Sequence, residues 1–197
     1  MRPAAVVLLG ALALVLAALP GFAEEKGQRE SLPRIGPAPE FSLTSQDGGE
    51  LKLADLRGKV VAVTFIFTRC IDTCPVLTPM MSFVQDRLGS DFGARIVFVS
   101  ITVDPERDTP EVLRDYVSGF GRNFVGLTGE PVAIRKIAKT FKVFFQKKPL
   151  PDGVYTMDHS AVIYILDPQA RARLMFTAKR QPNDVAHDIL QLLHQTS

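Results

Sequence analysis

Cys70, Cys74 and His159 are the residues whose types and placement in this chain suit chemistry. The two cysteines are the only ones, and three residues separate them. On a helix, positions i and i+4 share a face; in a loop, the same spacing lets two sulfurs converge on one ion. A reversible disulfide and a two-thiolate metal site are both feasible. An inert structural bridge is a poor explanation, because so short a loop gains little from closure. Two cysteines cannot hold an iron–sulfur cluster, which wants four. Soft thiolates favour Cu(I) or Zn(II), and a third ligand decides between metal and pure redox use. The same three residues with one open position also suit zinc, although no general base for a zinc hydrolase is signalled.

The elements around these residues give the pair a place. Val60–Thr68, VVAVTFIFT, is nearly all apolar and β-branched, as in a central strand covered on both faces. Val76, Met80, Val84 and Leu88 then recur every four residues, with Leu77 and Met81 beside them. This predicts an amphipathic helix whose first turn lies among Pro75–Pro79 and which Gly89 closes. Cys70 and Cys74 thus stand where a core strand ends and its helix begins. In open α/β sheets, chemistry gathers at such carboxyl ends. The helix N-terminus and the neighbouring Arg69 both favour thiolate over thiol.

Further along, Ala94–Val103 reads as a second buried strand, parallel to the first because a helix connects them. Thr109-Pro110 caps a helix to about Gly119, and Pro131 opens another through about Thr140. Ala161–Leu166 is a strand, followed after the turn 167–171 by Leu174–Thr177. Pro182 starts a last helix to about His194. Ahead of all these, 41–44 and 51–53 flank Gln46-Asp47-Gly48-Gly49, a hairpin signature. The order predicts a three-layer α/β domain with a central mixed sheet, helices on both faces and an N-terminal β-hairpin.

Residues 1–23 have Arg2, an unbroken apolar run from Ala4 to Leu19, Pro20, and a small-x-small end at Ala23. They read as a cleaved export signal or a retained single-span membrane anchor. Either way the domain is exported, with a bacterial periplasm preferred. In such an oxidising space, two cysteines form a disulfide unless something reduces or ligates them. Residues 24–40, charged and rich in Pro and Gly, read as a flexible tether, which leaves 41–197 as the folded domain. A hydrophobic content of 46% with 22% charged residues excludes disorder and a multi-pass membrane protein. A net charge of +2 makes no case for a nucleic-acid partner.

The other candidates rank lower. His187 and His194 lie seven apart on the last helix and read as solvated. His159 directly precedes a buried strand, where loops carry ligands more often than helix surfaces do; as a lone histidine it also suits a hydrogen-bonded core position. Met80 and Met81 follow the core spacing, whereas Met157 is nearer the site. Asp72 and Asp158 flank ligand candidates, and Asp104 ends the second strand with a supporting role. Residues 131–148 hold six basic residues and no acid. They read as a solvated face, or as a dock for an acidic partner or anionic lipid.

FTRCIDTCP resembles the copper-binding signature of the Sco/SenC family, a thioredoxin-fold group. The resemblance spans about Pro33 to Leu193. It includes FSLTSQDG at 41–48, SITVDPERDT at 100–109, GLTG at 126–129, YTMDHS at 155–160 and ILDP at 165–168. The resemblance implies a thioredoxin-like fold and a copper site made by Cys70, Cys74 and His159. It implies binding of Cu(I) and Cu(II), and metallation of the copper centre of cytochrome c oxidase. The implied partner is that oxidase subunit or another periplasmic cuproprotein, with a copper donor and a thiol reductant besides. Some members act as thiol–disulfide reductants for the same centre, which would make Cys70 and Cys74 a redox pair.

Five positions depart from the family pattern: Arg69 for a frequent histidine, Ile71 for proline, Ile66-Phe67 for glycine–tyrosine, and Ala170 for a turn glycine. The ligands are kept, and Arg69 and Ile71 alter the surface offered to a partner. Generic thioredoxin-type reductants place a cis-proline before the strand that faces their cysteines. Here Asp158-His159-Ser160 stands there, which favours a metal ligand. A peroxiredoxin-type peroxidase needs threonine or serine three before its reactive cysteine; Phe67 and Ile71 occupy those positions.

Overall fold

The computed structural model describes residues 36–70, 74–121 and 123–195, and at 74–76, 78 and 152 the backbone alone. The expected leader, the tether up to residue 35, and Asp72 lie outside the described residues. Among those described, no helix is long and apolar enough to cross a membrane.

In chain order the elements are β1 (Gly36–Pro37), β2 (Ser42–Ser45), β3 (Glu50–Lys52), a 3-10 turn (Leu53–Leu56) and β4 (Val60–Ile66). Then come α1 (Cys74–Leu88), the single turn α2 (Asp91–Ala94), β5 (Ile96–Thr102), α3 (Pro110–Ser118), β6 (Phe124–Thr128) and α4 (Pro131–Thr140). β7 (Phe145–Pro149), β8 (Tyr155–His159), β9 (Ile163–Leu166), β10 (Arg171–Phe176) and α5 (Pro182–Gln195) complete it. The large sheet runs β1-β10-β9-β4-β5-β6-β2-β3, and β7 and β8 form a separate antiparallel pair. β4, β5 and β6 are parallel, while β9 lies antiparallel to β4.

The strand alternation sorts the core into two layers. Val61, Val63, Phe65 and Phe67 pack with Val97, Val99 and Ile101 against Ile134, Ile137 and Ala138 of α4. Val60, Ala62, Ile96 and Phe98 face the other way, against Leu77, Met81 and Val84 of α1 and Val185, Ile189 and Leu192 of α5. Helices therefore cover both faces, as the nearly all-apolar runs require. Local signals act where expected. Thr109 Oγ1 accepts from Val112 N ahead of α3, and Gly89 takes φ +55° just past α1.

Three features differ from the sequence expectation. Gly36–Pro37 already pairs with Ala172 and Arg171 of β10, and Ala38 is buried, so chain assigned to the tether is part of the sheet. β6 is an unpredicted parallel strand. Its Gly126 leaves the room that α3 needs, since a Cβ there would stand 3.0 Å from Leu113 Cβ. The β7–β8 hairpin was also unpredicted, and it makes His159 the last residue of a strand rather than part of a loop.

Candidate metal centre

β4 delivers the first cysteine. Beyond its last residue the chain turns, and Cys70 N donates to Phe67 O at 3.1 Å. Cys70 is half-buried against the core and Arg69 is exposed beside it. Cys74 is the first residue of α1, so the pair straddles the expected strand-to-helix junction.

The histidine ends β8, and after three more residues the chain enters β9. Its ladder with β4 ends on the pair Thr64 and Ile163, and Thr64 Oγ1 donates to Val162 O. Continuing that antiparallel register carries β4 out toward Phe67 and β9 back toward His159. The rings of Phe67 and His159 meet edge-on, with centroids 5.6 Å apart. Phe67 thus links the turn of Cys70 to the imidazole. Phe145 opposite His159, and a reciprocal pair in which Ser160 N donates to Phe144 O and Phe144 N to Ser160 Oγ, fix the end of β8. His159 Nδ1 lies 3.2 Å from Ser160 O; with its proton on Nδ1, the ring carries its lone pair on Nε2. Burial pushes the imidazole pKa down, against Ser160 O and Asp158, which both favour the cation.

The loop after β5 braces both segments. Val103 N donates to Ile66 O at 2.7 Å, extending the β4–β5 pairing. Asp108 is buried and accepts from Thr68 N at 3.1 Å, Thr68 Oγ1 at 2.6 Å and Thr102 Oγ1 at 2.5 Å. Burial raises its pKa in spite of these bonds, and the nearby Asp104 charge adds to the rise. Asp104, also buried, accepts from Tyr155 Oη at 2.9 Å and from Arg107 Nε. The Arg107 guanidinium lies 3.6 Å from the Tyr155 ring centroid and donates to Tyr155 O at 2.9 Å. One end of β8 is thereby clamped to the β5 loop, and the other end bears His159.

The remaining candidates separate. Met80 and Met81 are buried core residues of α1, and Met157 is buried in the same cluster as Phe67. Asp158 is exposed opposite Gln146, and His187 and His194 are exposed on α5, remote in sequence from the site. Among the described residues no three His, Cys, Asp or Glu side chains stand at metal-ligating distance, the Cys74 side chain not being described. Asp108, Thr68, Thr102, Tyr155 and Phe67 were not singled out as functional from the sequence. Two aspartates within six residues of the end of a wholly buried strand, in TVDPERDT, were the available signal.

The comparisons with known proteins agree with this architecture. The SCO1/SenC family model matches residues 31–194. Protein sco1 of Schizosaccharomyces pombe is 34% identical over 161 residues, covering 80% of this chain and 60% of that protein. Copper-bound Bradyrhizobium japonicum ScoI superposes with TM-score 0.74 at 36% identity, covering 79% of this chain and 99% of that one. BsSco, a member of the Sco family of cytochrome c oxidase assembly proteins in which a disulfide switch was identified, superposes with TM-score 0.66 at 27% identity, over 82% and 96% of the two chains. The chain spans 39% to 64% of the length of the curated relatives it matches first. With a family match over most of its length and a thioredoxin-like fold shared with these structures, the chain belongs to the SCO1/SenC family.

Proposed function

We propose that this chain is an exported copper metallochaperone that binds Cu(I) and Cu(II) through Cys70, Cys74 and His159. It delivers the ion to the copper centre of cytochrome c oxidase, or prepares that centre to receive it. The observation that carries the reading is the Phe67–His159 contact, which brings the histidine-bearing strand end against the turn that carries Cys70. Two thiolates and one imidazole suit three-coordinate Cu(I), and the same set takes a further oxygen ligand with Cu(II). Copper is cargo here, so ligands at strand ends have an advantage over a closed structural site, because a partner's ligands can replace them one by one. Both thiols must lose protons on loading, which links uptake to pH. Copper-bound ScoI and the oxidase-assembly role of the family that includes BsSco support the cargo and the destination. The compartment is a bacterial periplasm, reached by a leader at 1–23 that is either cleaved or kept as an anchor.

The BsSco disulfide switch favours a second reading, thiol–disulfide reduction. One of Cys70 and Cys74 attacks a partner disulfide as thiolate, forming a mixed disulfide. The other displaces it, so the partner gains two electrons and this chain ends oxidised.

Anaerobic titration of reduced residues 24–197 with Cu(I), then Cu(II), separates the readings. One equivalent bound in both states, lost in C70A, C74A and H159A and kept in H187A, supports the chaperone. Weak binding indifferent to His159, with ready cycling of the Cys70–Cys74 disulfide, would leave the reductant standing.

A further inference from the structure

Six of the 23 Lys and Arg residues, and none of the 21 Asp and Glu, fall within 131–148, so the rest of the chain holds four more acids than bases. The structure gathers these cations beside the candidate metal centre. Arg135, Lys136 and Lys139 are exposed on α4, Lys142 follows it, and Lys147 and Lys148 are exposed on β7. α4 and the hairpin adjoin, because the Arg135 guanidinium lies 5.9 Å from the Phe145 ring centroid. Phe145 is the residue paired with His159 across the hairpin. The cationic surface is therefore continuous with the strand that holds the proposed histidine ligand. Of the six, Lys147 is matched by an acid, Glu106 at 2.7 Å. Among the described side chains of the hairpin, Asp158 is the acid, on the outer face opposite Gln146. Large apolar side chains stand exposed among the cations: Phe144 at 56% and Val132 at 78%.

We infer that α4 and the β7–β8 hairpin form the docking surface for an acidic protein partner, and that the partner's copper-accepting or disulfide-bearing site comes to rest over His159. The inference rests on the proposed function for what is exchanged there. An acidic protein is favoured over anionic lipid because a transfer site must touch its acceptor, and a bilayer laid on this surface would cover the site instead. Partner strand addition at the β7 edge is disfavoured by Lys147, Lys148 and Pro149, which blunt such edges. Contact by side chains and opposite charge remains, and it acts chiefly on the association rate.

The test uses the copper-centre domain of the oxidase subunit from the same organism as probe, in apo form. Its association with reduced residues 24–197 is followed by stopped flow from low to physiological salt, with and without copper. The surface variant is K136E/K139E/K148E and the control is K52E/R57E/K179E, with folding of each checked by circular dichroism. The expected result is wild-type association slowed by salt, and a fall of about tenfold or more at low salt in the surface variant, with copper loading unchanged. The control keeps the wild-type rate. Equal loss in the control, no loss in the surface variant, or no wild-type association overturns the inference. So does salt-sensitive binding to phosphatidylglycerol vesicles that K136E/K139E/K148E abolishes while association with the domain persists. Association is read with and without copper, so a chain that docks but does not load copper refutes the chaperone reading and leaves the docking surface standing.

Discussion

Replacing Asp108 by alanine and by asparagine separates the hydrogen bonds of this residue from its charge. Its carboxylate accepts from Thr68 N, Thr68 Oγ1 and Thr102 Oγ1. Alanine strands all three donors. Thr102 is fully buried, and Thr68 is half-buried, so its hydroxyl can turn to water. Two unsatisfied groups at about 1–3 kcal/mol each put the cost of D108A near 4 kcal/mol. Asparagine can keep the pattern: its oxygen accepts from Thr68 N and Thr102 Oγ1, and its amide donates to Thr68 Oγ1 once that hydroxyl rotates. It also removes a charge that burial disfavours, so D108N should lie within about 1 kcal/mol of wild type at neutral pH. The pH dependence follows from the raised pKa. The folded state binds this proton more tightly than the unfolded chain, so the contribution is fully present below the unfolded carboxylate pKa near 4 and is lost as pH rises through the folded value. Urea unfolding of the three proteins from pH 4 to 8 measures both effects. The stability of D108N relative to wild type should rise with pH through that window. An asparagine variant as damaged as the alanine variant, at every pH, would refute the argument that acceptor geometry outweighs charge here.

Asp167, buried with Arg173 and bonded to Arg171, has a lowered pKa: burial works to raise it and is outweighed by the two arginines and the Arg171 backbone. D167A should cost about 3–5 kcal/mol in denaturant unfolding, and the wild-type advantage should be present above the unfolded carboxylate pKa and disappear as pH falls through the folded value. Y155F removes the hydroxyl bond to Asp104 and keeps the stack on Arg107; a loss of about 1 kcal/mol is expected, with copper uptake retained, whereas Y155A should also weaken uptake by releasing β8. Copper at a hundredfold excess over its dissociation constant should stabilise the fold by about 2.7 kcal/mol in thermal unfolding, less whatever the unfolded thiols bind. H159A should reduce that gain, and an undiminished gain would remove His159 from the ligand set.

The sequence was most legible where one physical signal dominated. β4 and β5 are central because their runs are apolar on both faces, and their parallel pairing followed from the connecting helix. Thr109-Pro110 and Gly89 marked helix ends through capping chemistry that acts within a few residues. The hairpin of β7 and β8 was illegible for a matching reason: QKKP in β7 is exposed, so neither alternation nor β-propensity marked it. Its pairing is decided by tertiary partners such as Arg107 on Tyr155 and Ser160 on Phe144. The same limit applied to the site. The cysteine pair showed itself by spacing, but the Asp108 brace depends on a fold that brings residues 68, 102 and 108 together.

The division of labour among the three candidate ligands explains why so much of the chain frames them. Cys70 and Cys74 stay near each other in any conformation, so a thiol pair alone would bind soft metal or oxidise without needing a fold. His159 lies 85 positions after Cys74 and reaches the turn of Cys70 only through the β4–β9 register and the clamp on β8. A fold that imports one ligand over such a distance controls metal geometry separately from thiol chemistry. Asp108 anchors the segment before Cys70, while Asp104, Arg107 and Tyr155 anchor the far end of the histidine strand. Both anchors belong to a single loop, 103–109, so strain or substitution there should change copper binding more than it changes disulfide exchange between two neighbouring cysteines.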